Sequence, residues 1–151
     1  ASATAFNNMK TRRAFLKDTC LACAGASLLG MTFSQLTSCA SLPVYKTNLS
    51  LKSVDVPLTS FVESNLVVVR DLQTPYDILL VKKSETEYNA IYMKCSHREN
   101  PVSATKTGLY CSEHGSTFDL DGNVTKEPAP GPLKKFKTEL HDNLLTIDLN
   151  S

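Results

Sequence analysis

Two pairs of soft metal ligands constrain this chain more than any other feature. Cys95 and His97 stand two apart in CSHRENP, Cys111 and His114 three apart in CSEHGSTFDLDGN, and thirteen residues separate the pairs. A Cys-x-x-His pair leaves a metal half coordinated, so each pair needs the other. Each also stands on a loop after a short apolar run, AIYMKC or LYC, so the two pairs can converge on one site. Two thiolates and two imidazoles suit zinc or an iron–sulfur cluster and exclude calcium or magnesium as the natural occupant. Spacing alone leaves zinc and iron–sulfur both open.

The surrounding chain reads as strands. Residues 65–72 (NLVVVRDL) and 77–83 (DILLVKK) are β-branched and apolar, with TPY and SETEYN as turns between and after them. A further strand over 90–95 ends on Cys95, and 109–111 bring in the second pair. STFDLDGNV, residues 116–124, reads as a hairpin turning at Asp121 and Gly122. Residues 133–149 read as two strands around HDN, which leaves the third histidine, His141, as a solvated turn residue. After residue 39 there is no convincing amphipathic helix and no internal repeat, so the expected class is all-β.

Ahead of residue 40 the character changes. Thr11-Arg12-Arg13-Ala14-Phe15-Leu16-Lys17 resembles the twin-arginine export consensus, with Arg12 and Arg13 as its pair. The apolar stretch 21–33 that follows is short, and rich in small residues, for a span needing about 20 residues. Leu36-Thr37-Ser38-Cys39 resembles a lipobox, in which the chain is cut before Cys39 and the cysteine carries the lipid; an uncut N-terminal anchor is the alternative. The expected organisation is a cloning remnant or upstream misread over 1–8, a signal peptide over 9–38, lipidated Cys39 and a polar tether over 39–60, and the folded domain over 61–151, with its ligand-bearing part at about 91–132.

Removing the signal leaves twelve basic and fourteen acidic residues, a formal net charge of −2, which gives no footing for a nucleic-acid partner. Cys20 and Cys23 have the spacing of a redox pair but fall in the segment to be cleaved. Only Cys95 and Cys111 then remain in the domain.

The residues around the ligands resemble those of the Rieske family from Cys95 to Phe136. That family pairs Cys-x-His with Cys-x-x-His-Gly-Ser, followed by an aromatic-Asp strand, a glycine turn and a Pro-x-Pro-x-Pro-Leu segment. Here these are Cys95 and His97, Cys111 and His114 with Gly115 and Ser116, then Phe118 and Asp119, Gly122, and Pro128, Pro130, Pro132 and Leu133. The resemblance implies a Rieske-type antiparallel β-sandwich or barrel with a small cluster-binding subdomain of loops and short strands. It also implies one [2Fe–2S] cluster, one iron held by Cys95 and Cys111 and the other by His97 and His114. Gly115 would allow the close turn beneath the cluster, and Ser116 would donate to a bridging sulfide or, alternatively, bond within its own turn. The proline loop around Pro130 would cover the site.

Three departures stand out. The interval between the ligand pairs is shorter than is usual in the family. Cytochrome bc-type relatives carry a disulfide between cysteines at the places of Asn100 and Glu113, and a tyrosine at the place of Phe118. The resemblance therefore implies a ferredoxin-like electron carrier without catalytic residues, and the export signal and lipobox place its expected position at the periplasmic face of a bacterial membrane, tethered by lipid on Cys39. Its expected donor and acceptor are redox proteins such as a cytochrome, a quinol-oxidising complex or an oxidoreductase. A docked Rieske subunit of a larger oxidoreductase and a structural zinc module are the competing readings.

Overall fold

The computed structural model describes residues 41–47, 52–71 and 74–151, all within the unit Cys39–Ser151. Arg12, Arg13 and Cys39, and with them the export and lipidation readings, lie outside the described residues. Strands β1 (Val44–Thr47), β2 (Ser53–Pro57), β3 (Leu66–Asp71), β4 (Ile78–Lys82) and β5 (Tyr88–Tyr92) come first along the chain. They are followed by β6 (Ser103–Thr105), β7 (Gly108–Tyr110), β8 (Thr117–Phe118), β9 (Val124–Lys126), β10 (Lys135–His141) and β11 (Leu144–Asp148). One seven-stranded sheet runs β1-β3-β4-β5-β10-β11-β2, and β6-β7-β8-β9 form a smaller four-stranded meander. A single 3-10 turn, Leu58–Phe61, is the only helical element among the described residues. The fold is all-β, as expected, with β1 alongside β3 as a parallel exception to an otherwise antiparallel arrangement.

The middle of the large sheet is buried on both faces. β3 and β4 each begin with four consecutive buried residues rather than an apolar–polar alternation, the pattern of strands covered on two sides. Val67 faces Leu80 and Val69 faces Ile78 on one side, while Leu66 faces Val81 and Val68 faces Leu79 on the other. A slip of one residue would exchange these two sets wholesale.

The two faces have different partners. On the first, Val67, Val69 and Leu80 pack with Val54 and Val56 of β2 and with Leu145 and Ile147 of β11. Since β2 is the last strand of the sheet and β3 stands near its other edge, this shared core curls the sheet nearly into a barrel. On the second face, Val68, Leu79 and Ile91 pack with Leu109, Phe118 and Leu133 from the smaller subdomain.

That subdomain is an insertion, residues 93–134, between two strands that pair with each other. β5 and β10 are antiparallel neighbours, with Ile91 opposite Lys135 and Ala90 opposite Phe136. The Tyr92 N–H donates to the Lys134 carbonyl at 2.8 Å and closes the neck. Side chains tie the far end down: Asp121 accepts from the Asn89 amide at 2.8 Å and pairs with Lys83 at 2.7 Å.

Several boundaries move relative to the sequence reading. The tether expected over 39–60 contains β1 and β2, because Val54 and Val56, separated by an exposed Asp55, supply a half-buried strand to the barrel core. β5 starts two residues before the expected strand, within the SETEYN turn, since Tyr88 has a core side to face. It also ends at Tyr92, so Cys95 stands past its end. The hairpin at Asp121 and Gly122 forms, but Asp119 organises it: its carboxylate accepts the N–H groups of Asp121 and Asn123, each at 2.8 Å. Burial alone would raise the Asp119 carboxyl, and these donors together with the Asn123 side chain outweigh it and hold it below its ordinary value.

Gly108 is where the meander is tightest. A Cβ at this position would stand 2.3 Å from the Phe118 carbonyl oxygen of the adjacent strand, far inside contact distance, and the obstacle is backbone that cannot rotate away. Gly108→Ala should therefore force β7 and β8 apart and lower stability by about 1–3 kcal/mol. Chemical denaturation of the variant against the wild type reads this directly, and an unchanged midpoint would refute it.

Candidate metal centre

Each ligand pair is carried by a loop that closes on itself. Residues 95–100 follow β5, and the Cys95 N–H donates to the Asn100 carbonyl at 2.8 Å. Residues 111–116 follow β7 and are closed twice, by Gly115 N–H to the Cys111 carbonyl at 3.0 Å and by Cys111 N–H to the Ser116 carbonyl at 2.9 Å. The reversal takes Gly115 to φ 78°, a conformation open to glycine without a Cβ penalty.

The proline loop joins the other two through serines. Ser116 is fully buried, and its Oγ accepts the Ala129 N–H at 3.1 Å, thirteen residues away rather than within its own turn. Ser96, in the middle of the Cys-x-His pair, donates its hydroxyl to the Gly131 carbonyl at 2.5 Å. Ala129 is buried while Pro130 is exposed, so the loop lays its small residue inward and its proline ring outward. Sequence reasoning missed the part played by Ser96, because a serine between two ligands carries no signal of a partner 35 residues on.

The four expected ligands sort by element. Cys95 and Cys111 are both buried and both free thiols. Burial is the main influence pushing the Cys111 thiol up, and the Cys95 neighbour adds to it. Backbone N–H groups of Glu113 and His114 donate to the sulfur and oppose that rise. Those donors suit a sulfur that bears negative charge, and buried charge needs a partner of opposite sign to be tolerated. The rings of His97 and His114 stand 4.8 Å apart between centroids and nearly perpendicular, at 89°. His97 is half-buried and His114 exposed.

One atom tests whether these residues fit a metal. The Nδ1 of His97 is buried and has no hydrogen-bond partner. Buried polar atoms ordinarily find one, so an orphaned imidazole nitrogen beside a second histidine and two thiols fits a coordinating atom. Among the described residues, no group of three or more His, Cys, Asp and Glu gathers around a single ion position. The two cysteines neighbour each other, and so do the two histidine rings.

The neighbours have clear places. Phe118 is 2% exposed and packs in the same core as both cysteines. Glu113 is exposed, and Asn100 serves the first loop through its carbonyl. His141, at the outer end of β10, is exposed beside Glu139 at 3.3 Å, remote in role from the four ligands.

The chain matches the family model for the Rieske [2Fe-2S] domain over residues 51–137. No curated protein matches it by sequence. Among solved structures, it is similar to the plasma membrane Rieske protein PetC3 of the cyanobacterium Synechocystis PCC 6803. The two share 22% identity at a TM-score of 0.53, over 63% of this chain and 98% of that one. The ferredoxin of carbazole 1,9a-dioxygenase from Nocardioides aromaticivorans IC177 is 17% identical at a TM-score of 0.47, over 66% and 98% of the respective chains. The family match takes in both candidate ligand loops, the proline loop, β5 and the start of β10, and the chain belongs to the Rieske [2Fe–2S] domain family.

Proposed function

We propose that this protein is a lipid-anchored, ferredoxin-like electron carrier at the periplasmic face of a bacterial membrane, with Cys95 and Cys111 holding one iron and His97 and His114 the other. A Rieske domain transfers electrons through a [2Fe–2S] cluster. The observation that carries the ligand assignment is the orphaned, buried Nδ1 of His97 next to His114 and the two buried thiols. When bound, the cluster supplies a one-electron couple whose potential is raised by exchanging two thiolates for neutral imidazoles.

The chain's own residues set the conditions for that couple. The sulfur side is enclosed by Leu109, Phe118 and Leu133, which exclude water. The histidine side is open, His114 most of all, so a partner protein reaches the centre through the imidazoles. An imidazole facing solvent also lets electron transfer couple to proton transfer. The Oγ of Ser116 spends a lone pair on Ala129, leaving its proton for an acceptor on the cluster side. A tetrahedral zinc site needs neither the Gly115-Ser116 turn nor the proline cover, and their presence supports the cluster over zinc.

Membrane attachment through Cys39 is supported by the lipobox-like Leu36-Thr37-Ser38-Cys39 that ends the signal. Each buried methylene of an attached lipid contributes roughly 0.8 kcal/mol, and lasting anchorage takes more than one chain. The expected donor and acceptor are other redox proteins.

Protein matured in cells that assemble iron–sulfur clusters should be red-brown and contain about two irons and two acid-labile sulfides per chain. Alanine at Cys95, His97, Cys111 or His114 should abolish or severely damage the cluster, as read by iron analysis and visible absorption. A stoichiometric, colourless zinc protein from such cells would sink the assignment.

The potential should lie in the lower or middle part of the roughly −150 to +300 mV Rieske range, because Phe118 brings no hydroxyl toward a ligand sulfur. A donor stabilises the reduced state more than the oxidised one. If about 1 kcal/mol of such a bond differs between redox states, the shift is on the order of 40 mV. Film voltammetry should show Phe118→Tyr raised by some tens of millivolts and Ser116→Ala lowered by a similar amount. An intact Phe118→Tyr cluster with unchanged potential would show that sulfur hydrogen bonds do not set the poise.

Cys39→Ala should leave an uncut precursor, while a cleavable non-lipid leader should give soluble holoprotein. Fractionation followed by mass spectrometry distinguishes these, and a soluble-leader form still firmly bound to membranes would overturn the anchor assignment.

A further inference from the structure

The first ligand loop, residues 95–100, is pinned from outside at both ends, and one of the pins has no counterpart in the second loop. Ser96 holds its near limb to Gly131. Its far limb is held at Glu99, twice. The Tyr76 hydroxyl donates to the Glu99 carbonyl, and the Lys94 ammonium pairs with the Glu99 carboxylate. His97 lies between these fixed points. The second loop, by contrast, is braced by its own two backbone bonds and by Ser116.

Tyr76 is itself well founded. Its ring meets Tyr92 edge-on at 5.4 Å, and Tyr92 meets Phe136 of β10 at 5.4 Å. The adjacent Asp77 is held by Arg70 at 2.7 Å, and its carbonyl accepts the Met93 N–H at 2.9 Å. The Lys94 ammonium also lies 5.8 Å from the Tyr76 ring centroid. The hydroxyl thus projects from the large sheet onto the ligand loop. No disulfide is available for this task, because the only cysteines among the described residues are the free pair Cys95 and Cys111.

We propose that Tyr76 and Lys94 are positioning residues, which clamp Glu99 and thereby fix the first ligand loop and the orientation of His97. The inference rests on His97 being a cluster ligand for its consequence, but the clamp on the loop can be read independently. An exposed ion pair such as Lys94 with Glu99 contributes little alone, so the Tyr76 hydroxyl is the stronger arm. The conjunction matters because Asn100, the next residue, accepts the Cys95 N–H at 2.8 Å. Releasing Glu99 loosens the bond that closes the loop.

The test uses the full-chain holoprotein and the variant Tyr76→Phe, which keeps the ring and removes only the hydroxyl. Hydrogen–deuterium exchange followed by mass spectrometry should show the peptide covering 95–100 exchanging roughly three- to tenfold faster than in the wild type, with peptides from β3 and β4 unchanged. Histidine nitrogen couplings in the paramagnetic-resonance spectrum of the reduced protein should broaden in the same variant. Lys94→Met should move both readouts in the same direction by less, and Lys94→Arg should restore wild-type behaviour. Unchanged exchange over 95–100 in Tyr76→Phe overturns the clamp, and so does an acceleration spread equally over β3 and β4, which would report only general destabilisation. A wild-type holoprotein without histidine nitrogen couplings would instead refute the ligand assignment, while the exchange measurement would still decide the clamp.

Discussion

The chain leaves the large sheet after Tyr92 and rejoins it at Lys134, and the 2.8 Å backbone bond between those two residues determines where both ends of the ligand-bearing insertion stand. β5 and β10 pair only at their ends, through Ile91 with Lys135 and Ala90 with Phe136. Everything between must therefore fold back over the mouth of that pairing. The insertion buries Leu109, Phe118 and Leu133 against the outer face of β3, β4 and β5, so its orientation depends on a core it shares with the sheet. This is why β3 and β4 are apolar on both faces, and why a register slip in the large sheet would reach the metal centre.

The centre divides its environment by ligand type. Both cysteines are buried, and backbone N–H groups of Glu113 and His114 point at the Cys111 sulfur. These dipoles are fixed before any metal arrives, so they favour anionic ligands without reorganisation. His114 is exposed and His97 half-buried, so the imidazole side is the more open one. Burial of the sulfurs and the more open setting of the histidines are met together because the two loops approach the site from β5 and β7 with their cysteines innermost.

Loop bracing without a covalent link follows a consistent pattern. Ser96 and Ser116 each tie a ligand loop to the proline loop, and Tyr76 and Lys94 hold the outer limb of the first. Hydrogen bonds of this kind are individually modest. Their effect comes from acting on short loops that are already closed by backbone bonds, where few degrees of freedom remain.

What the sequence determined by itself was the cofactor class and the all-β class: soft side chains at fixed spacing, the Gly-Ser turn and the proline loop are local patterns, legible because each depends on a few neighbouring residues. Strand existence was legible for the same reason, through apolar runs at 65–72, 77–83 and 133–149. The tertiary structure alone decided what depends on residues far apart. Residues 53–57 are polar enough to read as tether until β11 offers them a partner and a core. Gly108 looks like any turn glycine until the Phe118 carbonyl is found 2.3 Å from where its Cβ would be. Ser96, Tyr76 and Glu99 have no motif, because a hydrogen bond across 23 or 35 residues leaves no periodicity and no spacing to read; only the folded sheet brings those atoms together.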